Sequence, residues 1–155
     1  MQSDADAIIH IVTYPHPIAR VWFALTDADA LARWLMPNDF RPHLGHRFTL
    51  TVAPEHGWQG SIACEVVVLE PPHRLAYTWA SSHPDAPPTL VTFTLEVIAD
   101  GTRLRLEHSG FAAGGSAGLT IRDILASGWG RKLLRENLPA LLDQMAHEQP
   151  GKEMT

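Results

Sequence analysis

The residues in this sequence that could bind a metal ion are its histidines and a single cysteine. The chain has nine histidines, but a zinc or iron site needs three or four ligands that meet at one point. His43 and His46 lie close together, in the loop-like stretch HLGH. Cys64 is predicted on a different strand from Glu107 and His108, so the pattern does not bring these ligands together. We therefore predict no metal site and no cofactor.

Cys64 is the one candidate for a cysteine nucleophile. It alternates with the apolar residues Ile62, Val66 and Val68 along a predicted strand, which directs its side chain inward. A thiol in apolar surroundings has a raised pKa and behaves as a small hydrophobic group. No Gly-x-Ser-x-Gly elbow is present to supply a serine nucleophile instead. We therefore interpret Cys64 as a core residue.

Acid–base chemistry has three candidate residues. His108 ends a predicted strand on the face that carries Leu104 and Leu106, Asp123 lies early in the last predicted helix, and Tyr77 points into the same interior. Proton transfer to a bound molecule would need such groups to face it. The alternative is that His108 ends its strand at the solvent edge and that Asp123 is favoured by the helix dipole. We assign no catalytic residue and expect that the protein is not an enzyme.

The elements that position these residues begin with one strand and two short helices. The β-branched, alternating stretch Ile8–Tyr14 predicts a strand. Pro17 suits the first turn of a helix, and apolar residues then recur at helical spacing. Thr26 or Asp27 can cap a second helix over Ala28–Trp34, because a side-chain oxygen there accepts free backbone N–H groups.

The rest of the chain predicts a run of strands and one long helix. Residues 47–108 alternate apolar and polar side chains between turn signals, which indicates about five antiparallel strands with one dry face. Residues 118–147 have a broad apolar face able to cover that sheet. Pro139 lies inside this helix, so we expect a kink or break over residues 135–138.

We predict an α+β fold in a single domain, residues 1–155, with a core over about 8–147 and a polar tail over 148–155. The net charge of −5 and the lack of a Lys/Arg cluster argue against nucleic-acid binding. No apolar run approaches the ~20 residues of a membrane span. The N-terminus lacks the pattern of a secretory signal, and one cysteine suits a reducing compartment, so we expect a cytoplasmic protein.

Aromatic residues are numerous for one sheet and one helix. Most should fill the core, yet a strongly curved sheet around a helix is hard to fill completely. Leftover space lined by rings with a few polar tips is typical of a small-molecule pocket. We expect Gly128, next to Trp129, to let helix and sheet approach on one side. The rings in question are Phe48, Trp58, Tyr77, Trp79, Phe93, Phe111 and Trp129.

Five stretches of the sequence, in this order and spacing, resemble one protein superfamily. They are VWFALTDADALARWLMP, LGHRFTL, LEPPHRLAYTW, GTRLRLEHSGF and GWGRKLL. The chain resembles the START/Bet v1-like (SRPBCC) superfamily, in the branch of the activator of Hsp90 ATPase C-terminal domain and the calicheamicin-resistance protein. This resemblance implies a helix-grip fold, in which a curved antiparallel sheet of about six strands wraps around a long C-terminal helix.

The resemblance also implies an apolar cavity between sheet and helix. We predict that the entrance is formed by Trp34, Met36 and Phe40, in the segment that leads from the second helix to the next strand. The residues predicted to line the cavity are Phe48, Leu50, Ile62, Cys64, Val66, Tyr77, Trp79, Val91, Phe93, Leu104, Leu106, His108, Phe111, Leu125, Trp129 and Leu133.

Members of this superfamily bind small molecules, act as cyclases or assist a chaperone, so fold alone does not select the function. Our leading hypothesis is a carrier that holds a small apolar or aromatic ligand in the cavity. The alternatives are a chaperone-interacting protein that resembles the Hsp90 activator domain, and an enzyme that resembles polyketide cyclases and uses acid–base chemistry. A monomer and a homodimer through an edge strand are both compatible with the sequence.

Overall fold

The computed structural model describes residues 7–52, 60–82 and 87–148, which form strands and helices in the predicted order. Trp58 and residues 149–155 of the predicted tail lie outside the described residues. The strands are β1 (Ile8–Tyr14), β2 (Arg47–Val52), β3 (Gly60–Glu70), β4 (Arg74–Ser81), β5 (Thr89–Ile98) and β6 (Gly101–Ser109). The helices are α1 (Ile18–Thr26), α2 (Ala28–Trp34), α3 (Gly115–Ser127) and α4 (Leu138–Glu148).

The six strands form an antiparallel sheet in the order β1-β6-β5-β4-β3-β2, so β1 and β2 are its edges. Inward-facing residues stand opposite each other across the strands, as Phe93 does opposite Leu106. A register shift between Val66 and Val68 marks an irregularity in β3, and such bulges bend and twist a strand. The predicted α+β helix-grip fold is confirmed.

The short helices follow the boundaries that their sequence predicts. Asp27 is the residue that caps α2, since its Oδ2 accepts the Ala30 N–H at 3.1 Å. The indole of Trp34 at the end of α2 is buried and donates its N–H to the Ala24 carbonyl at 2.8 Å. The two helices are therefore joined to each other by a buried side chain as well as by their connection.

The C-terminal helix changes its hydrogen-bonding pattern around Pro139. Between α3 and α4, Gly128–Asn137 forms a π-helical segment, and the Leu138 N–H bonds to the carbonyl of Leu133, five residues back. In this pattern the Leu134 carbonyl would accept the backbone N–H of residue 139, but Pro139 has no backbone N–H. The Tyr14 hydroxyl donates to the Leu134 carbonyl instead, at 2.6 Å. The helical hydrogen-bonding pattern thus changes at 137–138, within the range where the sequence predicts a kink or break.

Strand β1 approaches the helix closely at Gly130, and not at Gly128 as the sequence led us to expect. A Cβ atom added to Gly130 would lie 2.5 Å from the His10 ring, whereas one added to Gly128 would meet nothing within 4 Å. The His10 Nε2 donates to the Ala126 carbonyl at 3.0 Å. His10 and Tyr14 therefore attach the helix to β1 on either side of the contact at Gly130.

The chain contains, in its described part, no helix that is both long and apolar enough to cross a membrane.

Candidate functional site

The space between the sheet and the C-terminal helix holds the residues that the sequence assigned to a cavity. Those on the strands, together with Phe111 and Trp129, are buried, and Leu125 and Leu133 on the helix are half-buried against them. The structure thus brings the predicted set into one apolar cluster. Whether a ligand contacts these residues stays a prediction.

Aromatic rings pack tightly at the centre of this cluster. The Trp129 ring lies 5.9 Å from Phe93, 5.7 Å from Trp79 and 6.5 Å from Trp34, centroid to centroid. Trp34 also meets Phe93 edge-on at 6.4 Å. Edge-on and tilted pairs at these distances are favourable beyond their apolar burial. Trp34, expected at the entrance, is therefore part of the interior.

His108 is wholly buried and fully hydrogen-bonded, and is not at the solvent edge. The Trp129 Nε1–H donates to His108 Nδ1 at 3.0 Å. Because an indole N–H can only donate, Nδ1 must be the acceptor, and the ring proton of neutral His108 is on Nε2. This Nε2–H donates to Thr89 Oγ1 at 2.8 Å, and the Thr89 hydroxyl donates to the Trp79 carbonyl at 3.2 Å.

Burial lowers the pKa of His108 to about 3, from an ordinary value of 6.5. The imidazole is neutral at physiological pH, and the lone pair it would use as a base is occupied by the Trp129 N–H. The arrangement stabilises the interior and does not present a proton acceptor to a bound molecule. The third candidate for acid–base chemistry, Asp123, is exposed on α3 and pairs with Arg122 at 2.7 Å.

Tyr77 carries a buried polar atom that has no hydrogen-bond partner among the described residues. Its side chain is fully buried, and its hydroxyl has no hydrogen-bond partner among the residues described. The ring contacts Phe48 edge-on at 5.1 Å and Phe93 at 6.1 Å. Burial, and then the neighbouring Cys64, raises the pKa of Tyr77, so the phenol keeps its proton. This hydroxyl is a hydrogen-bond donor directed into an apolar interior.

Cys64 on β3 lies directly opposite Phe48 on β2. It is also close enough to Tyr77 to affect the pKa of that residue. Its thiol is buried, with Sγ 3.8 Å from the Ile62 carbonyl. Burial, and secondly the Asp39 carboxylate, raises the pKa of Cys64 to about 12. A thiol with this pKa is protonated at neutral pH and is a poor nucleophile. The geometry is consistent with the core role that the sequence indicates.

A surface pocket of about 550 Å³ opens between the short helices and the segment that follows them. We call it the outer pocket. Of the expected entrance residues, Phe40 lines it, whereas Met36 is half-buried against the core and Trp34 lies inside. The full lining consists of Phe23, Thr26, Asp27, Ala28, Asp39, Phe40, Arg41 and Pro42.

Sequence reasoning did not identify Phe23 or Asp39 as pocket residues. One signal was available for Phe23, because this large ring lies outside the helical spacing of the buried residues Val21 and Leu25 and is 50% exposed. Nothing in the sequence marks Asp39, whose Oδ1 accepts the Thr49 N–H at 2.8 Å. The position of Asp39 in the pocket lining depends on how the segment after α2 folds against β2.

The sequence also did not reveal a group of three polar side chains, His16, Arg20 and Asp143, that joins the start of α1 to α4. The Arg20 Nη1 donates to His16 Nδ1 at 2.8 Å, and His16 Nε2 donates to Asp143 Oδ1 at 2.8 Å. His16 and Arg20 are both buried, whereas Asp143 is exposed. The pairing spans most of the chain length, which is why no local pattern could indicate it.

Histidines do not converge on a metal-like site in the described part of the chain. No three or more His, Cys, Asp or Glu side chains there are placed as they would be around an ion. His46 lies 3.0 Å from the Asp39 carbonyl through Nε2 and stacks parallel to Phe48 at 6.2 Å. His43 is exposed in the preceding loop.

Comparison with known proteins identifies one family and several structural neighbours. Residues 15–143 match the family model described as Activator of Hsp90 ATPase homolog 1-like protein. Protein MLL2253 from Mesorhizobium loti is 35% identical, with a TM-score of 0.78, and the match covers 89% of this chain and 97% of that one. Protein BH1534 from Bacillus halodurans is 29% identical, with a TM-score of 0.70, over 88% and 96% of the two chains.

A more distant neighbour shows the fold alone. DynU16, described as a putative protein in the dynemicin biosynthetic locus, is 24% identical with a TM-score of 0.75. The match covers 90% of this chain and 48% of DynU16. A search of curated proteins found no match.

Proposed function

This chain belongs to the family of Activator of Hsp90 ATPase homolog 1-like proteins, and from this premise we propose that it binds a small apolar or aromatic molecule between its sheet and its C-terminal helix. Membership confirms the resemblance seen in the sequence. The fold supports a ligand-binding or cyclase-like role, and the chemistry of the interior favours binding.

The observation that carries the proposal is the unpartnered hydroxyl of Tyr77. More than nine in ten buried polar groups are hydrogen-bonded, and leaving one unsatisfied costs roughly 1–3 kcal/mol. The hydroxyl lies among Phe48, Phe93 and Cys64, where apolar groups surround it. A molecule with an apolar body and one polar end would pack against these rings and accept the Tyr77 hydrogen bond.

Simple binding suits this interior better than acid–base catalysis. His108 is neutral with both nitrogens engaged, and Tyr77 and Cys64 hold their protons because burial raises their pKa. A cyclase-like mechanism would need a group that titrates near neutral pH and faces the substrate. None of these three residues offers one. The cytoplasmic location stays a prediction.

Native mass spectrometry of freshly purified protein tests the proposal. We expect a mass excess that disappears on denaturation and is reduced in a Tyr77→Phe variant. Tyr14→Phe is the matched control, because the Tyr14 hydroxyl is already bonded to the Leu134 carbonyl.

A titration extends the test when the bound molecule is lost on purification. The probe is prodan, an uncharged aminonaphthyl ketone whose emission shifts in apolar surroundings. An unliganded native mass together with no prodan binding up to its solubility limit would show that the proposal is wrong. Capture of a chaperone under the same conditions would then favour the interaction role that the family name suggests.

A further inference from the structure

We propose that the outer pocket is the entrance to this ligand site, that the Phe40 side chain closes it, and that the entering end of the ligand is uncharged and accepts a hydrogen bond. The ligand part of this inference rests on the proposed function. The closure by Phe40 is a property of the protein alone and can be measured without a ligand.

Phe40 lies between the outer pocket and the unpartnered hydroxyl. It lines the pocket, yet its side chain is only 3% exposed, so most of the ring faces inward. There it packs edge-on against Phe48 at 5.0 Å, and Phe48 packs edge-on against Tyr77 at 5.1 Å. The ring of Phe48 therefore contacts both the inner wall of the pocket and the ring that carries the hydroxyl.

Electrostatic interactions indicate the same proximity. Asp39 lines the outer pocket, and its carboxylate contributes to the raised pKa of Cys64. Cys64 in turn contributes to the raised pKa of Tyr77. Since such interactions weaken with distance, the outer pocket and the buried polar atoms are close to each other at this end of the sheet.

The backbone that carries Phe40 is held by its neighbours. Asn38 Oδ1 accepts the Phe40 N–H at 2.9 Å, while Asn38 Nδ2 donates to the Ala28 carbonyl at 3.1 Å. Asp39 Oδ1 accepts the Thr49 N–H at 2.8 Å, which joins the segment to β2. Opening therefore needs a rotation of the Phe40 side chain, with the surrounding backbone left in place.

The charges at the entrance and in the interior select the ligand. An ion passing Phe40 would lose its hydration, and the groups around Tyr77 are neutral and offer no counter-charge. At the pocket rim, the carboxylates of Asp27 and Asp39 and the guanidinium of Arg41 leave a net charge of −1, which weakly disfavours anions, and Asp39 and Arg41 are both exposed to solvent. Because the Tyr77 phenol keeps its proton, it offers an O–H, and an uncharged carbonyl or ether oxygen is its natural acceptor.

The single cysteine of the chain allows the closure to be tested directly. We expect Phe40→Ala to increase the rate at which Cys64 reacts with the small uncharged reagent N-ethylmaleimide by about tenfold or more, since each ~1.4 kcal/mol removed from the opening free energy is a factor of ten. Phe23→Ala, on the exposed side of the same pocket, should leave the rate unchanged.

Two further variants separate local opening from loss of stability. Leu134→Ala removes a buried side chain on the helix near β1, at the opposite edge of the sheet. The labelling rates of Cys64 in Phe40→Ala and Leu134→Ala are compared at equal free energy of unfolding. If Phe40→Ala is labelled no faster than Leu134→Ala, Phe40 does not close the entrance. If Phe40→Ala does not fold, Phe40→Leu replaces it in the same comparison with Leu134→Ala.

The ligand arm compares prodan with the corresponding aminonaphthoic acid, which carries a carboxylate in place of the ketone. We expect prodan to bind and the acid not to bind, and Phe40→Ala to raise the association and dissociation rates of prodan together. Equal affinity for the acid would overturn the selection of uncharged ends. Prodan binding with rates unaffected by Phe40→Ala would overturn the entrance. Faster labelling without any binding would overturn the proposed function, and the ligand part of this inference with it, but not the closure by Phe40.

Discussion

At the scale of single residues, the two tyrosines of the chain differ in one respect that matters for function. Both side chains are buried. Tyr14 donates to the carbonyl that Pro139 leaves without a backbone donor, whereas the Tyr77 hydroxyl has no partner in the described part of the chain. The first hydroxyl stabilises the fold, and the second is the one for which we propose a ligand as the partner.

Removing each hydroxyl should therefore change stability in opposite directions. We expect Tyr14→Phe to lower the free energy of unfolding by about 1–2 kcal/mol, because it leaves the buried Leu134 carbonyl unsatisfied. Tyr77→Phe of the ligand-free protein should leave that free energy unchanged or raise it by up to ~1 kcal/mol. Urea denaturation of both variants measures the difference. A loss of stability in Tyr77→Phe equal to that in Tyr14→Phe would mean that Tyr77 has a partner after all.

His108 predicts how stability depends on pH. Its pKa is about 3 in the folded protein and near 6.5 in the unfolded chain, so below pH 6.5 only the unfolded chain gains a proton. The contribution of neutral His108 to the free energy of unfolding is fully present above pH 6.5 and is lost as the pH falls towards 3. Between about pH 7 and pH 5 the loss should be about 2 kcal/mol.

Urea denaturation of the parent protein and of His108→Gln at both pH values isolates this contribution. Contributions that the two proteins share cancel in the comparison, and glutamine has no charge to gain. We expect the parent to lose more stability than the variant on acidification. An equal loss in both would show that His108 is not a buried neutral imidazole.

At the scale of elements, the contact between β1 and the C-terminal helix depends on one glycine. Gly130 lies against the His10 ring, while neighbouring Gly128 faces open space. His10 and Tyr14 donate hydrogen bonds to helix carbonyls on either side of Gly130. Strand β1 is thus bonded to the helix at Ala126, just before the π-helical segment, and at Leu134 within it.

The two glycines should respond oppositely to alanine. Gly130→Ala should lower the free energy of unfolding by about 1–3 kcal/mol, because its methyl group would overlap the His10 ring. Gly128→Ala should raise it by roughly 0.5–1 kcal/mol through better helix propensity. Thermal or urea denaturation measures both effects. In a His10→Ala background the cost of Gly130→Ala should largely disappear, and its persistence would contradict the assigned contact.

At the scale of the whole molecule, the two edges of the sheet have different roles. At the β1 edge, side chains of the strand bond directly to the C-terminal helix. At the β2 edge, Phe48 packs under Phe40, and the outer pocket adjoins it. Ligand entry is proposed at the β2 edge, where the described residues make no such direct bonds to the helix. The single domain and pairing of edge strands between two copies stay predictions.

The sequence by itself determined the order and type of the elements. Alternating strands, a cap at Thr26 or Asp27 and the apolar face of the last helix are local signals, and each depends on residues that are near in the chain. The predicted inward faces were also right for the cavity set, since alternation along a strand decides which side chains share a face. Five ordered stretches were sufficient to indicate the family.

Only the tertiary structure decided which polar atoms have partners. The hydrogen-bond partners of His108 are Thr89 and Trp129, and the partner of Tyr14 is 120 residues away. The unpartnered Tyr77 hydroxyl and the position of Phe40 between pocket and core likewise depend on how distant segments pack. Hydrogen bonding and desolvation are set by every neighbour in space at once, and a local pattern in the sequence records only the neighbours along the chain.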